Sequence, residues 1–185
     1  MFRHSKRMVI TLAIASVQTQ ANFGRLSGSD LLCHVSNAAV GGLSSYALVI
    51  MLIHYLQQRD HLPVLQELYE TPEKPVVSVN GWNAWFQNDM SVIHRLWKPP
   101  QNKLSLGELW LGFFEYYLSE FNHDLYVVTI RQKALLKRFV KMWSSLFAIE
   151  DPFNLEHNLT SGLHHDCECD ISLFHINCIP FYVWY

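Results

Sequence analysis

The fold is indicated most strongly by Ser105-Leu-Gly-Glu-Leu-Trp-Leu-Gly-Phe-Phe-Glu-Tyr-Tyr-Leu118. A serine followed three residues later by a glutamate, ahead of an apolar run, forms a capping box in which each side chain satisfies a backbone N–H at a helix start. The pattern predicts a helix from about Leu106 to Phe121. Its apolar positions leave little polar face; they are Leu109, Leu111, Phe113, Phe114, Tyr117 and Leu118. We therefore expect this helix to lie centrally in the core.

The segments around this helix predict a mainly α chain with a few short strands, an α+β arrangement. A buried helix is predicted over 46–56, after two glycines and two serines that offer a turn and an N-cap. The strands are predicted at the β-branched run Tyr126-Val-Val-Thr-Ile130 and at Phe147-Ala-Ile149. The other predicted elements are a short helix and a proline-containing loop over 63–75, an aromatic turn over 81–86 and a helix over 131–144.

Composition limits the functional classes. Half of the 185 residues are hydrophobic and 16% are charged, fewer than the roughly 25% of an average soluble domain. This excess of apolar side chains predicts either an unusually aromatic core or a face covered by another part of a larger protein. The formal net charge of -2 provides no overall attraction to nucleic acid, so such attraction requires a local patch. We expect one ordered domain.

The N-terminus has two interpretations. A basic start, Met1-Phe-Arg-His-Ser-Lys-Arg7, precedes an apolar run, which is the pattern of a secretory signal peptide. The alternative is a truncated amphipathic helix or a misplaced start. Four cysteines are too few for a disulfide framework in a chain of this length, so a cytoplasmic location is predicted, with secretion as the alternative. No apolar run reaches the roughly 18 residues of a membrane-spanning helix.

A second informative stretch is Ile149-Glu-Asp-Pro-Phe-Asn-Leu-Glu-His157, in which polar side chains surround Pro152 in a predicted loop. Reading the edge of a base requires donors and acceptors that are held in place before the ligand arrives, and polar side chains on a rigid turn meet that need. On spacing alone, however, a surface loop followed by a capped helix is the favoured interpretation.

The longer stretch Phe147-Ala-Ile-Glu-Asp-Pro-Phe-Asn-Leu-Glu-His-Asn-Leu-Thr-Ser-Gly-Leu163 resembles the nucleotide recognition motif of terminal uridylyltransferases, in the poly(A) polymerase-associated domain of noncanonical poly(A) polymerases. Other segments match in the family's order and spacing: Gly42-Leu-Ser-Ser-Tyr-Ala47, Met51-Leu-Ile-His-Tyr-Leu-Gln-Gln58, Gly81-Trp-Asn-Ala84, Ser105-Leu-Gly-Glu-Leu-Trp-Leu-Gly112 and Ile130-Arg-Gln-Lys133. The resemblance implies the central helical plus associated domain of a β-polymerase-like nucleotidyltransferase, over about residues 41–163. It leaves an atypical N-terminal segment, 1–40, and a divergent His/Cys/aromatic tail, 164–185.

The resemblance also implies roles for individual residues. Tyr46 would stack on the base, and the neighbouring Ser45 would contact the phosphates. Asp151 and His157 would read the Watson–Crick edge, and Asn154 is a further candidate nucleotide-binding residue on the same loop. A histidine at this position disfavours adenine by its bulk and offers a hydrogen bond to uracil, so UTP is the expected nucleotide and an RNA 3′ end the expected acceptor.

Catalysis in the family resembles two-metal nucleotidyl transfer, in which Mg²⁺ or Mn²⁺ is held by a Gly-Ser loop, an Asp-x-Asp pair and a third carboxylate. This sequence has no matching carboxylate set: Gly28-Ser-Asp30 is followed by no Asp-x-Asp, and Asp166 and Asp170 lie after the recognition motif. No lysine lies between Lys6 and Lys74 to match the family's phosphate-binding helix. We therefore expect a part of the enzyme that lacks the catalytic palm, with no catalytic residues of its own.

Two further clusters allow a functional and a structural interpretation. Lys133, Lys137 and Lys141 recur at four-residue spacing on the predicted helix, which makes them candidate RNA-binding residues, although a solvated helix face is the commoner meaning of such spacing. The tail His164-His-Asp-Cys-Glu-Cys169 contains ligands suited to zinc, but its Cys-x-Cys spacing is unlike the usual pairs. Incidental composition is favoured there, and no metal site is predicted.

The predicted function is therefore UTP recognition within an enzyme that adds uridines to RNA 3′ ends, with this chain inactive alone. The alternative is a catalytically dead polymerase-like module that binds RNA, or a protein partner on the face left by the missing palm.

Overall fold

The computed structural model describes residues 43–79, 81–98, 100–101, 104–145 and 147–162. The signal-like start, Asp30 and the His/Cys-rich tail lie outside these residues. The described elements confirm a mainly α chain with a few short strands. They are α1 (Ser45–Gln58), β1 (Ser78–Val79), β2 (Trp82–Asn83), α2 (Met90–Leu96), α3 (Leu106–Glu115), a π-helical turn (Tyr116–Glu120), β3 (Tyr126–Val127), β4 (Leu136–Lys137) and a 3₁₀ turn (Arg138–Val140).

The chain divides into two compact units. Among the described residues, the first unit contains those within 43–49, 104–122 and 160–162, and the second contains those within 50–101 and 123–159. The first unit therefore holds the start of α1 and all of α3. The second holds the rest of α1, both strand pairs and residues 151–157, the loop with the predicted base-reading residues.

Helix α1 begins where the sequence predicts it. The Ser44 hydroxyl accepts a hydrogen bond from the backbone N–H of Ala47 at 3.1 Å. This bond satisfies one of the N–H groups that a helix start leaves unpaired. Most of the helix is buried, and the buried side chains include two polar ones, His54 and Gln57. A buried imidazole on this helix has consequences for the stability of the protein at acid pH.

Helix α3 begins at the predicted capping box. Ser105 Oγ accepts from the backbone N–H of Glu108 at 3.2 Å, and Glu108 Oε2 accepts from the backbone N–H of Ser105 at 2.7 Å. Leu109 and Phe113 are buried, at 1% and 5% exposure. The local pattern therefore predicted the start of this helix and two of its buried side chains. Leu111 and Phe114, also predicted for the core, are half-buried, and Tyr116, which was not predicted, is buried.

The end of this helix differs from the prediction. The α-helix stops at Glu115, and the π-helical turn carries the chain to Phe121. One extra residue in the turn changes the angles at which the following side chains leave the backbone. The ring centroid of Tyr117 consequently lies 5.3 Å from that of Phe113 and 5.5 Å from that of Phe121, both edge to face. Such pairs stabilise by about 0.5–1.5 kcal/mol beyond their burial, a contribution that helical periodicity does not reveal.

Strands β1 and β2 form an antiparallel hairpin at the predicted aromatic turn. Gly81, at the tip, has a φ of 86°, a conformation that favours glycine. The Asn83 side chain ties the hairpin to its flanks: its Oδ1 accepts from the backbone N–H groups of Val77 and Trp85 at 3.0 and 3.1 Å, and its Nδ2 donates to Pro75 O at 3.0 Å.

The short helix predicted over 63–75 is absent from the structure, where these described residues form one turn followed by extended chain. The Glu67 N–H closes the turn by donating to the carbonyl of the residue three positions earlier at 3.0 Å. The carbonyl of Leu65 accepts instead from the backbone N–H of Gln87 at 2.9 Å, so a distant segment uses an acceptor that a helix would need. Helix α2, which was not predicted, is short and buries only Ile93 among its described side chains.

The prediction of a helix over 131–144 is also wrong. Residues Leu136–Lys137 form β4, which pairs antiparallel with β3, and only the 3₁₀ turn follows. The backbone N–H of Arg138 extends this pairing by donating to Leu125 O at 2.8 Å. Met142 then has a φ of 55°, which a right-handed helix does not permit. Pairing with an earlier segment therefore outweighed the helical spacing.

The strand predicted over 126–130 is shorter than expected, because it pairs with β4 only at its first two residues. Val128 then forms a parallel bridge with Ile149. In this bridge, Val128 N donates to Ala148 O at 3.0 Å, and Glu150 N donates to Val128 O at 2.9 Å. The predicted second strand at 147–149 is thus a single bridge, and it anchors the start of the polar loop.

Candidate functional site

The predicted site residues fall in both units, and each group is described within its own unit. Ser45 and Tyr46 begin α1 in the first unit, where the side chain of Tyr46 is 41% exposed and that of Ser45 is outside the described atoms. Asp151, Asn154 and His157 lie together on one loop in the second unit. We call residues 151–157 the polar loop.

Backbone hydrogen bonds close the polar loop on itself. The N–H of Asp151 donates to His157 O at 3.1 Å, and the N–H of His157 donates to Asn154 O at 2.9 Å. Just outside the loop, the N–H of Leu159 donates to Ile149 O at 2.9 Å. The loop is therefore held at its base, so its side chains project from a defined backbone and not from a freely moving segment.

Side chains add to this order. Asp151 Oδ1 accepts from the backbone N–H of Phe153 at 2.9 Å, and Asp151 Oδ2 lies 3.3 Å from Nδ1 of His157. The Asn154 Oδ1 accepts from the backbone N–H of Glu156 at 3.3 Å. The His157 side chain is 49% exposed and that of Asp151 is 17% exposed. With Nδ1 engaged by Asp151, Nε2 is the ring nitrogen of His157 that remains to meet a ligand.

A buried carboxylate lies at the base of the polar loop. Glu150 has 1% exposure, and its Oε2 accepts from Thr129 Oγ1 and from Arg131 Nε, both at 2.8 Å. Its Oε1 accepts from Arg131 Nη2 at 3.0 Å and lies 2.6 Å from Lys141 Nζ. The charge of Glu150 is thus compensated by two cations and a hydroxyl, as a buried carboxylate requires.

Burial and these partners act on the pKa of Glu150 in opposite directions. Burial alone raises the pKa, whereas the hydrogen bonds from Arg131 and Lys141, the charge of Arg131 and the hydrogen bond from Thr129 lower it. The net result is a pKa below the ordinary value for glutamate, so Glu150 is ionised at neutral pH. No individual role for Glu150 was predicted from the sequence. The available signal was a carboxylate directly after the apolar run at 147–149.

The three predicted RNA-binding lysines do not share a helix face, because the helix predicted over 131–144 does not form. The Lys133 side chain contacts the C-terminal end of α1. Its Nζ donates to the backbone carbonyl oxygens of Gln57 and Gln58, the latter at 3.3 Å, and lies 2.8 Å from the carboxylate of Asp60. A cation at this end of a helix is favoured by the helix dipole.

Lys141 and Lys137 lie in different environments. Lys141 has a side chain that is 15% exposed, and its Nζ contacts both Glu150 and the backbone carbonyl of Leu155. Lys137 is exposed on β4, with its Nζ 5.9 Å from the ring centroid of Phe139. Of the three lysines, Lys137 is therefore the one best placed to meet an external ligand.

No three His, Cys, Asp or Glu side chains converge as metal ligands among the residues that the structure describes. The described residues therefore do not fit a two-metal centre, and Asp30, Asp166 and Asp170 lie outside them. In the same part of the chain, no helix is long and apolar enough to cross a bilayer.

The chain is similar in sequence to terminal uridylyltransferases. A model described as Cid1 family poly A polymerase matches residues 105–157. Terminal uridylyltransferase 4 from Homo sapiens is 41% identical over 165 residues, which cover 87% of this chain and 10% of that protein. Terminal uridylyltransferase cid1 from Schizosaccharomyces pombe is 32% identical over 152 residues, which cover 70% of this chain and 36% of that protein. The chain thus spans a minor part of each relative's length.

Solved structures are similar as well. Cid1 in complex with the UTP analogue UMPNPP is 33% identical with a TM-score of 0.63, over 77% of this chain and 44% of that one. Cid1 poly(U) polymerase with Mg and 3′-dATP bound is 31% identical with a TM-score of 0.64, over 77% of this chain and 44% of that one. A cytoplasmic RNA terminal U-transferase is 28% identical with a TM-score of 0.64, over 93% of this chain and 49% of that one.

Proposed function

The chain belongs to the family of terminal uridylyltransferases and noncanonical poly(A) polymerases, and we propose that it supplies UTP recognition to an enzyme that adds uridines to RNA 3′ ends. The recognition domain would occupy residues 41–163. The observation that carries the proposal is the polar loop, in which Asp151 holds a half-exposed His157 at 3.3 Å on a backbone closed by hydrogen bonds.

The proposed chemistry follows from the donors and acceptors of the loop. If His157 donates its Nδ1 proton to Asp151, Nε2 of the neutral ring is an acceptor, which suits the N3–H of uracil. The corresponding edge of adenine presents an acceptor at N1, so the same nitrogen would leave two acceptors facing each other. Asn154 adds an amide on the same loop. UTP would thus be selected over ATP for two reasons: uracil donates a hydrogen bond to Nε2 of His157, whereas adenine places its acceptor N1 against the same nitrogen.

Tyr46 and Ser45 are proposed to contact the base and the phosphates, respectively. The position of Tyr46 in the first turn of α1, with 41% exposure, supports a stacking role because part of its ring is accessible. A helix start also presents backbone N–H groups, which favour an anion such as a phosphate. The similarity to a Cid1 structure that contains a UTP analogue supports both assignments.

We propose that this chain does not form the phosphodiester bond alone. The described residues do not fit the carboxylate set that the family uses to hold Mg²⁺ or Mn²⁺, and no step of transfer is assigned to them. In a two-metal nucleotidyl transfer, such ions would supply the charge that neutralises a triphosphate, and the described residues offer no set of carboxylates to hold them. UTP binding by this chain alone should accordingly be weak, because contacts to the triphosphate supply much of the affinity.

RNA is the second proposed partner, and the contacts in the structure narrow the residues that would bind it. Lys133 and Lys141 make intramolecular ion pairs, with Asp60 and Glu150 respectively. Lys137 is exposed and carries the RNA contact in this proposal. The proposed location is the cytoplasm, in agreement with the similar structure described as a cytoplasmic RNA terminal U-transferase.

Nucleotide recognition is tested by titrating the isotope-labelled chain with UTP and with ATP and following by NMR the backbone amide resonances of Asp151 and of residues 153–158. We expect UTP to shift these resonances at lower concentrations than ATP. His157→Ala should reduce that preference on the order of tenfold, the effect of about one hydrogen bond. The exposed neighbour Glu156 offers a matched control, because Glu156→Ala should leave the preference unchanged. Equal responses to UTP and ATP in the wild type would overturn the proposal.

Catalytic inactivity is tested separately by incubating the chain with an oligo-RNA, UTP and Mg²⁺. No extension of the RNA is expected. Extension would show that the chain provides its own carboxylates and would overturn that part of the proposal. RNA binding without any response to nucleotide would instead favour a polymerase-like module that serves as an interaction protein.

A further inference from the structure

Lys141 connects two parts of the site that the sequence does not place together. Its Nζ lies 2.6 Å from Oε1 of Glu150, below the loop, and 2.5 Å from the backbone carbonyl oxygen of Leu155, within the loop. The side chain is only 15% exposed, so water competes weakly for both contacts. One ammonium group therefore links a buried carboxylate to the middle of the polar loop.

The carboxylate end of this link is fixed. Glu150 also accepts from Thr129 and from two nitrogens of Arg131, and its backbone N–H donates to Val128 O at 2.9 Å. A side chain held by these partners has no room to follow a moving lysine. The position of Lys141 Nζ is consequently set by Glu150, and the carbonyl of Leu155 is held relative to that anchor.

The loop end of the link is coupled to the predicted base-reading residues. Leu155 lies inside the turn that the hydrogen bond from His157 N to Asn154 O closes, and Asp151 N donates to His157 O across the loop base. A displacement of the Leu155 carbonyl must therefore move or break this turn. The 3.3 Å distance between His157 Nδ1 and Asp151 Oδ2 depends on the same turn.

We propose that Lys141 is a positioning residue that sets the geometry of His157 and Asp151 and thereby the preference among nucleobases. The inference rests on the proposed function, because the preference presupposes that the polar loop reads the base. It gives Lys141 a role different from the RNA contact expected from its spacing to Lys133 and Lys137. Discrimination between bases depends on hydrogen-bond geometry, so a small shift of the loop suffices to weaken it.

Lys141→Met tests the inference, because methionine keeps most of the length and volume of the side chain but removes the ammonium group. The substitution eliminates the contacts with Glu150 and Leu155 and also the approach of Nζ to the Trp143 ring, whose centroid lies 5.1 Å away. Lys98→Met is the matched control, an exposed lysine just beyond α2 to which no binding role is assigned. Three properties are measured on the full chain: the free energy of unfolding, the amide and His157 side-chain resonances without nucleotide, and the ratio of UTP to ATP dissociation constants.

We expect Lys141→Met to shift the resonances of residues 151–157 in the absence of nucleotide and to reduce the UTP preference roughly fivefold or more. Lys98→Met should change neither property. Lower stability with an unchanged loop spectrum and an unchanged ratio would show a merely structural lysine and overturn the inference. If Lys141→Met does not fold, Lys141→Arg retains the charge but not the geometry, and the same two readouts should change.

Failure of the proposed function gives a different result. A wild-type chain that responds equally to UTP and ATP would remove the proposed function and the specificity role of Lys141 together. The spectra recorded without nucleotide still decide whether Lys141 positions the loop, since that comparison needs no ligand. An unchanged loop in both Lys141 variants would contradict the positioning role in either case.

Discussion

The ammonium group of Lys133 lies 2.8 Å from the carboxylate of Asp60, immediately beyond the end of α1. The same group donates to the backbone carbonyls of Gln57 and Gln58 in the last turn of the helix, and the Gln57 carbonyl also accepts from the backbone N–H of Asp60 at 3.1 Å. Asp60 has a φ of 58°, the left-handed conformation that often ends a helix. A residue predicted to bind RNA thus serves as a tertiary cap, supplied from a different part of the second unit.

Lys133→Met should therefore lower the free energy of unfolding by about 1 kcal/mol, the usual scale of a helix-terminal cation with its hydrogen bonds. Urea unfolding at neutral pH measures the change. Lys137→Met, at an exposed position of β4, should have an effect within about 0.5 kcal/mol. Equal losses in the two variants would contradict the capping role.

The proposal that Lys137 contacts RNA predicts that Lys137→Met affects RNA binding more than Lys133→Met does, although Lys133→Met affects stability more. Lys137→Met should weaken binding to a single-stranded oligo-RNA and reduce the salt dependence of the affinity by about one phosphate contact. Lys133→Met should alter that salt dependence little, because its charge is engaged at the end of α1. Fluorescence anisotropy at several salt concentrations measures both. A larger effect from Lys133 would show that the ion pair with Asp60 opens to bind RNA.

Acid should destabilise the protein through His54. Burial, and secondarily the charge of Lys133, lower the pKa of His54 to about 4 from 6.5. The unfolded chain therefore binds a proton that the folded chain does not, and stability falls as the pH drops from about 6.5 toward 4. The loss reaches about 3 kcal/mol at most. Unfolding measured across this pH range should show a shallower slope in His54→Gln, and an unchanged slope would contradict the assignment.

Protonation of Glu150 should also destabilise the protein, at a lower pH than protonation of His54. Because its pKa is below the ordinary value, its ion pairs contribute fully above about pH 4.3 and are lost as the pH falls through the folded-state pKa. Glu150→Gln should therefore be less stable than the wild type at neutral pH and should approach it in strong acid. A constant difference between the two proteins at every pH would contradict the role of the charge.

A stacking role for Tyr46 predicts that two substitutions at this position differ in their effect on UTP binding. Tyr46→Phe keeps the aromatic ring and should retain UTP binding, whereas Tyr46→Ala removes it and should weaken binding by about 1–3 kcal/mol, the scale of base–aromatic stacking. NMR titration with UTP measures both affinities. If Tyr46→Phe weakens binding as much as Tyr46→Ala, the hydroxyl and not the ring makes the essential contact.

Local rules were sufficient where the interactions that form an element lie within a few residues. The capping box of Ser105 and Glu108 joins positions three apart, and the N-cap of α1 joins Ser44 to Ala47. Such signals are present in the sequence whatever the rest of the chain does. The same rules were wrong over 131–144, because β4 forms by pairing with β3, and a distant partner leaves no mark on local spacing.

The family, the mainly α class and the position of the segment that contains Asp151, Asn154 and His157 follow from the order of residues, because long matching stretches and helix caps are local properties of the chain. How that segment is held is visible only in the folded molecule. Glu150 is buried among Thr129, Arg131 and Lys141, and Lys141 reaches from Glu150 to Leu155. The physical reason is that a buried charge must be compensated by whichever side chains folding brings to it, and those come from distant parts of the chain.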